Sequence, residues 1–413
     1  MDTYINNQMA YYTLPLVSCS INSYNLKIKF DNKHNYFLNK TLAKYVNKIK
    51  EQIDKHSEDW DNIKKHTNPY EYIHTCYPNS KHPISKLKPL SRAFFKFVEI
   101  ANIFDIFSQY SRPIQSFHLA EGPGGFIEAM QSMRMNNDDT YYGMTLLDNT
   151  NTNIPGWRKS ELFLEKHNNV IIETGEDGTG NLYNPVNFNY CMRQYGNKMD
   201  IITGDGGFDF SIDFNKQEQL AFRLILSQVA YAIGMQKYNG TFILKFFDTF
   251  MKPSMDILYI LAAFYENIHI IKPQTSRYAN SEKYVVCTNF KYHNTSVISQ
   301  KFHDIISVLN NMNLKDLSIS TIINIPINHR FKTSLENINA ILGQQQMDNI
   351  LTTLRFIENK ERKGEKLNQL TTKNIQKCIN WCIKNEIPHY KTTATGNIFL
   401  GGADVKKNYY RKC

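Results

Sequence analysis

SFHLAEGPGGFIEAM, residues 116–130, joins an apolar run to a helical pattern through a glycine-rich turn. The stretch predicts a strand, a tight loop and the start of a helix. Gly122, Gly124 and Gly125 lack a Cβ and can adopt positive φ, so the backbone can approach a ligand closely while the next helix directs free N–H groups at it. In α/β folds this crevice at the carboxyl end of a strand holds nucleotide-like ligands. An ordinary loop connection is the alternative interpretation.

Strand-like runs recur after this loop, with helical stretches between them. They are Thr140 to Thr145, Asn169 to Glu173, Met199 to Thr203, Gly240 to Phe247, Asn267 to Ile271 and Lys283 to Thr288. This alternation predicts an α/β fold with a mostly parallel sheet and helices on both faces. Residues 273–282 between the last two runs are too few for a crossover helix, so those strands should pair as an antiparallel hairpin. Seven strands with a reversed final hairpin differ from the dinucleotide-binding version of the fold.

The segment before the loop, SRAFFKFVEIANIFDIF (residues 91–107), is helical in pattern and apolar around most of its circumference. We therefore expect a largely buried helix. Lys96 lies among its phenylalanines, and a lysine in such a place usually extends its ammonium group to the surface. Lys245 lies in an apolar run that suits a central strand, where an unpaired charge is costly.

Composition favours a polyanionic partner. The 413 residues include 48 Lys plus Arg against 38 Asp plus Glu, for a net charge of +10. The seven cysteines form no CxxC pair and indicate reduced thiols in an intracellular compartment. Nothing reaches the ~18 apolar residues that a membrane span needs, and no secretory leader is visible. We expect a soluble protein that is not secreted and does not bind membranes.

The chain divides into three parts in our interpretation: an N-terminal extension (1–65), an α/β domain (66–294) and a mainly helical C-terminal extension (295–413). A helix around residues 42–53 carries lysines that either contact nucleic acid or form a solvated face. These are Lys40, Lys44, Lys48 and Lys50.

Two features of the C-terminal extension invite a functional interpretation. Cys378 and Cys382 are one helical turn apart with His389 nearby, but they share an apolar face, so we predict core packing and no metal site. The tail beyond residue 391 interleaves Lys and Arg with Tyr409 and Tyr410, which suits single-stranded RNA. A solvated tail is the equal alternative.

Five motifs in order resemble the FtsJ (RrmJ)-type S-adenosylmethionine-dependent RNA 2′-O-ribose methyltransferases. They are SRAFFKFVEI, AEGPGGF, MDIITGDGGFD, GTFILKFF and SRYANSEKYVV, spread over residues 91–286. The resemblance implies a Rossmann-like sheet of seven strands with a final antiparallel hairpin. The two motifs AEGPGGF and GDGGFD are similar to those of the cap-specific, Adrift-type branch of the family, found in eukaryotes and large cytoplasmic DNA viruses.

The resemblance maps the family's catalytic tetrad onto Lys96, Asp205, Lys245 and Glu282. Methyl transfer to a ribose hydroxyl requires the hydroxyl to lose its proton and the reactants to be aligned. Lysine accepts that proton only when neutral, and a nearby cation lowers its pKa from ~10.4. Lys245 is then the general base, Lys96 lowers its pKa, and the two carboxylates position the amines. Without the resemblance, Asp205 is equally a turn residue and Glu282 a surface residue.

The same resemblance implies S-adenosylmethionine as the cofactor and assigns residues to it. The main chain of Gly122, Gly124 and Gly125 should lie against its methionine and ribose parts, with Phe126 covering them. Asp177 matches the family's acidic contact to the adenine amino group. The residue that usually binds the ribose hydroxyls is replaced by Thr145, and either Glu121 or Asp148 compensates.

The sequence thus predicts a 2′-O-methyltransferase acting beside an mRNA cap, with capped mRNA and the capping or transcription machinery as partners. Three alternatives stay open: an internal-site rRNA or tRNA enzyme, a non-catalytic RNA-binding subunit of an mRNA-processing complex, and a small-molecule methyltransferase. The abundance of Asn, Ile, Lys and Tyr fits an AT-rich genome such as that of a large DNA virus, which would make the location cytoplasmic.

Overall fold

The chain folds around one large β-sheet with helices on both faces. The computed structural model describes residues 10–31, 37–148, 154, 156–207, 216–312, 318–359 and 364–390. The strands in these ranges are β1 (Tyr12–Thr13), β2 (Leu26–Asp31), β3 (Gln115–Leu119), β4 (Thr140–Met144), β5 (Val170–Glu173), β6 (Met199–Gly204), β7 (Gln236–Phe246), β8 (Tyr265–Ile271), β9 (Lys283–Phe290) and β10 (Ser318–Ile323). The helices are α1 (Lys40–Asp54), α2 (Ser57–Thr67), α3 (Ala93–Ile103), α4 (Gly125–Arg134), α5 (Glu161–Lys166), α6 (Pro185–Tyr195), α7 (Gln217–Met235), α8 (Lys252–Phe264), α9 (Ser296–Asn311), α10 (His329–Glu358) and α11 (Gly364–Lys384).

The order of strands in the sheet is β1-β8-β9-β7-β6-β3-β4-β5. Strands β3 to β7 pair in parallel, whereas β9 lies antiparallel between β7 and β8. The predicted α/β class, the seven strands and the final antiparallel hairpin are confirmed. The eighth strand, β1, pairs with β8 through only two residues and is too short to show an alternating pattern.

The two faces of the sheet bury separate apolar clusters. Neighbouring residues on one strand go to opposite clusters, as Ile202 and Ile201 do on β6. The first cluster includes side chains of α7, α8 and α9, and the second those of α3, α4 and α11. A central parallel strand buried on both faces reads as a continuous apolar run, which explains the MDIITG pattern of β6.

Both extensions pack against the α/β domain. β2 pairs with β10 in a separate two-stranded sheet, so the N-terminal and C-terminal extensions meet there. Lys50 of α1 is buried and forms an ion pair with Asp248 (Nζ to Oδ2, 2.7 Å), so it does not belong to a solvated face. The three-part division of the chain stays a prediction, and the basic, aromatic tail lies outside the described residues.

The predicted core packing of the two cysteines of α11 is confirmed. Cys378 and Cys382 are both fully buried in the second apolar cluster. Across the part of the chain that the structure describes, no group of three or more His, Cys, Asp or Glu is placed to hold a metal ion. The helices described there include none long and apolar enough to cross a membrane.

Candidate active site

The glycine-rich loop connects β3 to α4 at the carboxyl edge of the sheet. Gly124 is the N-cap of α4 and has φ +105°, a conformation that side-chain-bearing residues rarely adopt. A Cβ on Gly125 would lie 2.2 Å from Ser91 Oγ, and one on Gly122 would lie 2.5 Å from the carbonyl oxygen of Gly156. Two of the glycines therefore allow the loop to pack against other segments of this chain, which the sequence alone did not suggest.

The first turn of α4 differs from its prediction in two respects. The N–H of Phe126 donates to Glu121 Oε1 (2.6 Å), so this donor is engaged by the chain itself. The predicted cover by Phe126 is wrong, because its ring is fully buried and packs against Phe97 and Tyr284. An apolar ring at this position contributes more by joining the core than by facing solvent.

Four predicted residues converge from four separate elements. Lys96 comes from α3, Asp205 follows the end of β6, Lys245 lies near the end of β7, and Glu282 directly precedes β9. The carboxyl ends of β6 and β7 meet at one edge of the sheet, and antiparallel β9 begins at that same edge. This topology brings together residues that are up to 186 positions apart, from 96 to 282.

The charged groups alternate in sign at short range. Lys96 Nζ lies 2.7 Å from Glu282 Oε1, and the second oxygen of Glu282 lies 4.0 Å from Lys245 Nζ. Lys245 Nζ also lies 3.4 Å from Asp205 Oδ1 and donates to the backbone carbonyl of Asp205 (2.9 Å). Lys96 is only 3% exposed, so the alternative in which it extends to the surface is wrong.

Burial and neighbouring charges shift the pKa values of this group. Burial raises the pKa of Glu282, but the cations of Lys96, Lys245 and Arg92 outweigh it and hold that pKa far below its usual range. Burial lowers the pKa of Lys96 by more than Glu282 and Asp205 raise it, and repulsion from Lys245 adds to the lowering. Glu282 is therefore ionised at neutral pH.

The direction at Lys245 is opposite to the one expected. Burial lowers its pKa, but attraction to Asp205 and Glu282 outweighs burial, so the net shift of the Lys245 pKa is upward. The repulsion between the two lysines instead helps to lower the pKa of Lys96. Attraction to the neighbouring carboxylates raises that pKa by less than burial lowers it. Lys245 thus holds its proton more tightly in these surroundings than a free lysine does.

Three neighbours of the tetrad were missed. Tyr284 donates to Asp205 Oδ1 (2.6 Å), Ser276 donates to Glu282 Oε1 (2.7 Å), and the cation of Arg92 lowers the pKa of both lysines. Tyr284 could have been found from sequence, because side chains two apart on a strand share a face and its position is opposite Lys245 in the β7–β9 register. The other two depend on tertiary packing.

The remaining predicted cofactor residues lie along the same edge. Asp177 follows β5, is exposed, and accepts hydrogen bonds from Thr179, Asn184 and Asn187 that hold its loop in shape. Its adenine contact stays a prediction. Thr145 follows β4 and packs beside Gly122, with its Cγ2 3.0 Å from where a Cβ on that glycine would be.

Residues 89–290 match the model of the FtsJ-like methyltransferase family. A cap-specific mRNA (nucleoside-2′-O-)-methyltransferase 1 of Trypanosoma cruzi is 35% identical over 179 residues, which are 41% of this chain and 46% of the relative. The human cap-specific mRNA (nucleoside-2′-O-)-methyltransferase 1 is 31% identical over 255 residues, 57% of this chain and 29% of the relative. A solved structure of a putative ribosomal RNA methyltransferase from Plasmodium falciparum is 20% identical with a TM-score of 0.34, covering 48% of this chain and 97% of that one.

The chain spans less than half the length of these two curated relatives, 46% and 29%. The match to the family covers the glycine loop and all four residues of the charged group. It ends at residue 290, so α9, α10 and α11 lie beyond it. Together with the sheet order, the match shows that this chain carries an FtsJ-like methyltransferase domain.

Proposed function

We propose that this chain transfers a methyl group from S-adenosylmethionine to a ribose 2′-hydroxyl of RNA, on the cap-proximal nucleotide of mRNA. One observation carries the proposal: Lys96, Asp205, Lys245 and Glu282 form one charge-alternating group beside a glycine-rich loop, with Lys96 and Glu282 buried and Asp205 and Lys245 partly exposed. Cap specificity is the function printed in the names of the relatives, and RNA as the substrate also suits the net charge of +10.

The proposed chemistry assigns one task to each of the four residues. Lys245 Nζ takes the proton of the attacking hydroxyl, and Asp205 holds that amine in place through its carboxylate and its backbone carbonyl. Glu282 lies between the two lysines, and Lys96 fixes Glu282 from the opposite side. Because the pKa of Lys245 is raised, we expect the rate to increase with pH through the alkaline range as the neutral amine becomes populated.

The loop region fits the cofactor. Glu121 Oε2 is buried beside the glycine turn and has no hydrogen-bond partner among the described residues, which suits a site that a polar ligand completes. Gly122 and Gly124 would hold the cofactor through their main chain, with Asp177 at the far end of the same edge. When bound, S-adenosylmethionine supplies an electrophilic methyl group on a cationic sulfur.

The test uses labelled S-adenosylmethionine and RNAs of one sequence. The set comprises capped RNA, 5′-triphosphate RNA, and capped RNAs with a 2′-deoxy sugar at the first or the second nucleotide. We expect label on capped RNA, none on the triphosphate RNA, and loss of label with one of the two deoxy substrates. Label on the triphosphate RNA at an internal position would contradict cap dependence, and no label on any RNA would contradict the proposed activity.

A further inference from the structure

Glu121 is a buried carboxyl group to which the mechanism above gives no role. Its side chain is 4% exposed, and its Oε1 accepts a hydrogen bond from the N–H of Phe126. Its Oε2 is inaccessible and has no partner among the residues that the structure describes. A buried carboxyl oxygen without a partner costs free energy, so the site is incomplete as the described residues build it.

The surroundings of Glu121 favour its neutral form. Burial raises its pKa most, and the nearby carboxylate of Asp205 at the end of β6 raises it further. The backbone N–H groups of Phe126 and Ile127 and the cation of Lys245 lower it, but the net result is a pKa well above the usual range. Lys245 is already engaged by Asp205 and Glu282, so it does not neutralise Glu121.

A positive charge at the junction of the glycine loop and the tetrad would supply the missing partner, because it would stabilise the ionised form of Glu121. We propose that Glu121 Oε2 binds the cationic methionine end of S-adenosylmethionine. This inference rests on the proposed function, because that cofactor brings two positive charges, an ammonium and a sulfonium, to this edge of the sheet. Glu121 gives up its proton to solvent as the cation arrives, which couples cofactor binding to proton release.

If Glu121 instead bound a ribose hydroxyl of the cofactor, binding would release no proton. A neutral hydroxyl pairs equally well with a carboxylic acid and leaves the proton in place. Proton release on binding thus separates charge recognition from hydroxyl recognition. It also predicts that affinity rises with pH towards the pKa of the free carboxyl group, because ionisation then costs less.

The test is calorimetric binding of S-adenosylmethionine in two buffers with different ionisation enthalpies, which gives the number of protons released. Measurements belong between pH 6 and about 7.5, below the range of ~7.7–8.0 where α-amino groups lose their own proton. We expect the wild type to release up to one proton more than Glu121→Gln. The variant should bind about tenfold or more weakly, because a buried charge loses its partner.

Glu128→Gln is the matched control. Glu128 lies on α4, just after the loop that holds Glu121, and its pKa is also raised by burial, but its Oε2 accepts from the N–H of Leu90 (2.7 Å). Its substitution should leave affinity and proton release unchanged. If Glu121→Gln fails to fold, the wild type alone decides, since binding without proton release contradicts the inference.

S-adenosylhomocysteine identifies the cation, because it keeps the ammonium and lacks the sulfonium charge. Proton release that persists with this ligand identifies the ammonium, and release that disappears identifies the sulfonium; either result supports the inference. Equal affinity and equal proton release in wild type and Glu121→Gln would overturn it. Absence of S-adenosylmethionine binding by the wild type would instead contradict the proposed function.

Discussion

Lys96 shows how far a single residue can be interpreted from sequence. A lysine among phenylalanines normally reaches the surface, yet Lys96 is 3% exposed and is paired at 2.7 Å with Glu282. The family resemblance placed Lys96 and Glu282 in one site, whereas hydrophobic patterning argued for a surface lysine, and the pair itself became visible only in the structure. The pKa direction at Lys245 was not predictable, because it depends on how closely two carboxylates approach relative to one cation.

Lys96→Met tests the electrostatic role of this residue. The substitution removes a cation and leaves Glu282 free to interact more strongly with Lys245, so the pKa of Lys245 should rise further and the neutral base should appear only at higher pH. We expect a lower rate at neutral pH, with part of the loss recovered under alkaline conditions in a pH–rate profile. Lys166→Met, on the exposed face of α5, is the control. An alkaline limb at the wild-type position would show that Lys96 only packs.

The glycine loop is the element whose geometry was predicted best. Its place between a strand and a helix is confirmed, while the engagement of the first N–H groups of α4 by Glu121 could not be inferred without the fold. Gly124→Val should abolish S-adenosylmethionine binding, because φ +105° is strained for a branched residue and a Cβ would lie 3.3 Å from the ring of Trp157. Calorimetry on the folded variant measures this. Affinity like that of the wild type would mean that the loop is only a connection.

Helix α3 links the tetrad to the C-terminal extension, which no local pattern predicted. Glu99, one turn after Lys96, accepts hydrogen bonds from the N–H groups of Gln274 and Thr275 and from the indole N–H of Trp381 on α11. Ser276, the next residue of that loop, donates to Glu282. Glu99 thus positions the loop that leads to Glu282, one of the two carboxylates of the charged group.

Glu99→Ala should lower kcat about tenfold or more while the affinity for S-adenosylmethionine stays near the wild-type value. The loss of one acceptor leaves several buried donors unpaired, each at a cost of ~1–3 kcal/mol, and lets the 274–276 loop move. The control is Asn102→Ala, which removes a hydrogen bond from α3 to Asn385 just beyond α11 but does not touch that loop. The measurement is kcat of both variants by steady-state kinetics, at a temperature well below the melting temperature of each. Equal kcat in the two variants would assign Glu99 to stability alone.

For the whole molecule, the fold class followed from the alternation of strands and helices, but the packing of the extensions did not. The pairing of β2 with β10 joins residues almost 300 positions apart, and their strand patterns carry no information about each other. Burial of Lys50 against Asp248 likewise depends on where α1 packs. The sequence therefore predicted the fold of residues 89–290, which match the family, better than it predicted the packing of the two extensions around them.

The net charge of +10 predicts that salt weakens the binding of RNA more than the binding of S-adenosylmethionine. RNA affinity should fall steeply with salt, with a slope of ~0.7 per phosphate contact on single strands, because each contact releases condensed counterions. S-adenosylmethionine affinity should change far less, since this ligand has no chain of phosphates from which counterions are released. Binding titrations from low to moderate salt measure both slopes. An RNA affinity that is insensitive to salt would point away from a surface that follows the phosphate backbone.

The role of Lys245 as the base decides whether the proposed reaction is correct. It is tested most directly by the single-turnover methyl-transfer rate of Lys245→Ala on capped RNA, with cofactor affinity and melting temperature measured on the same preparation. This role predicts a loss of roughly 10²- to 10⁴-fold in rate, with S-adenosylmethionine affinity and the fold nearly intact. A variant that keeps more than about half of the wild-type rate would contradict it.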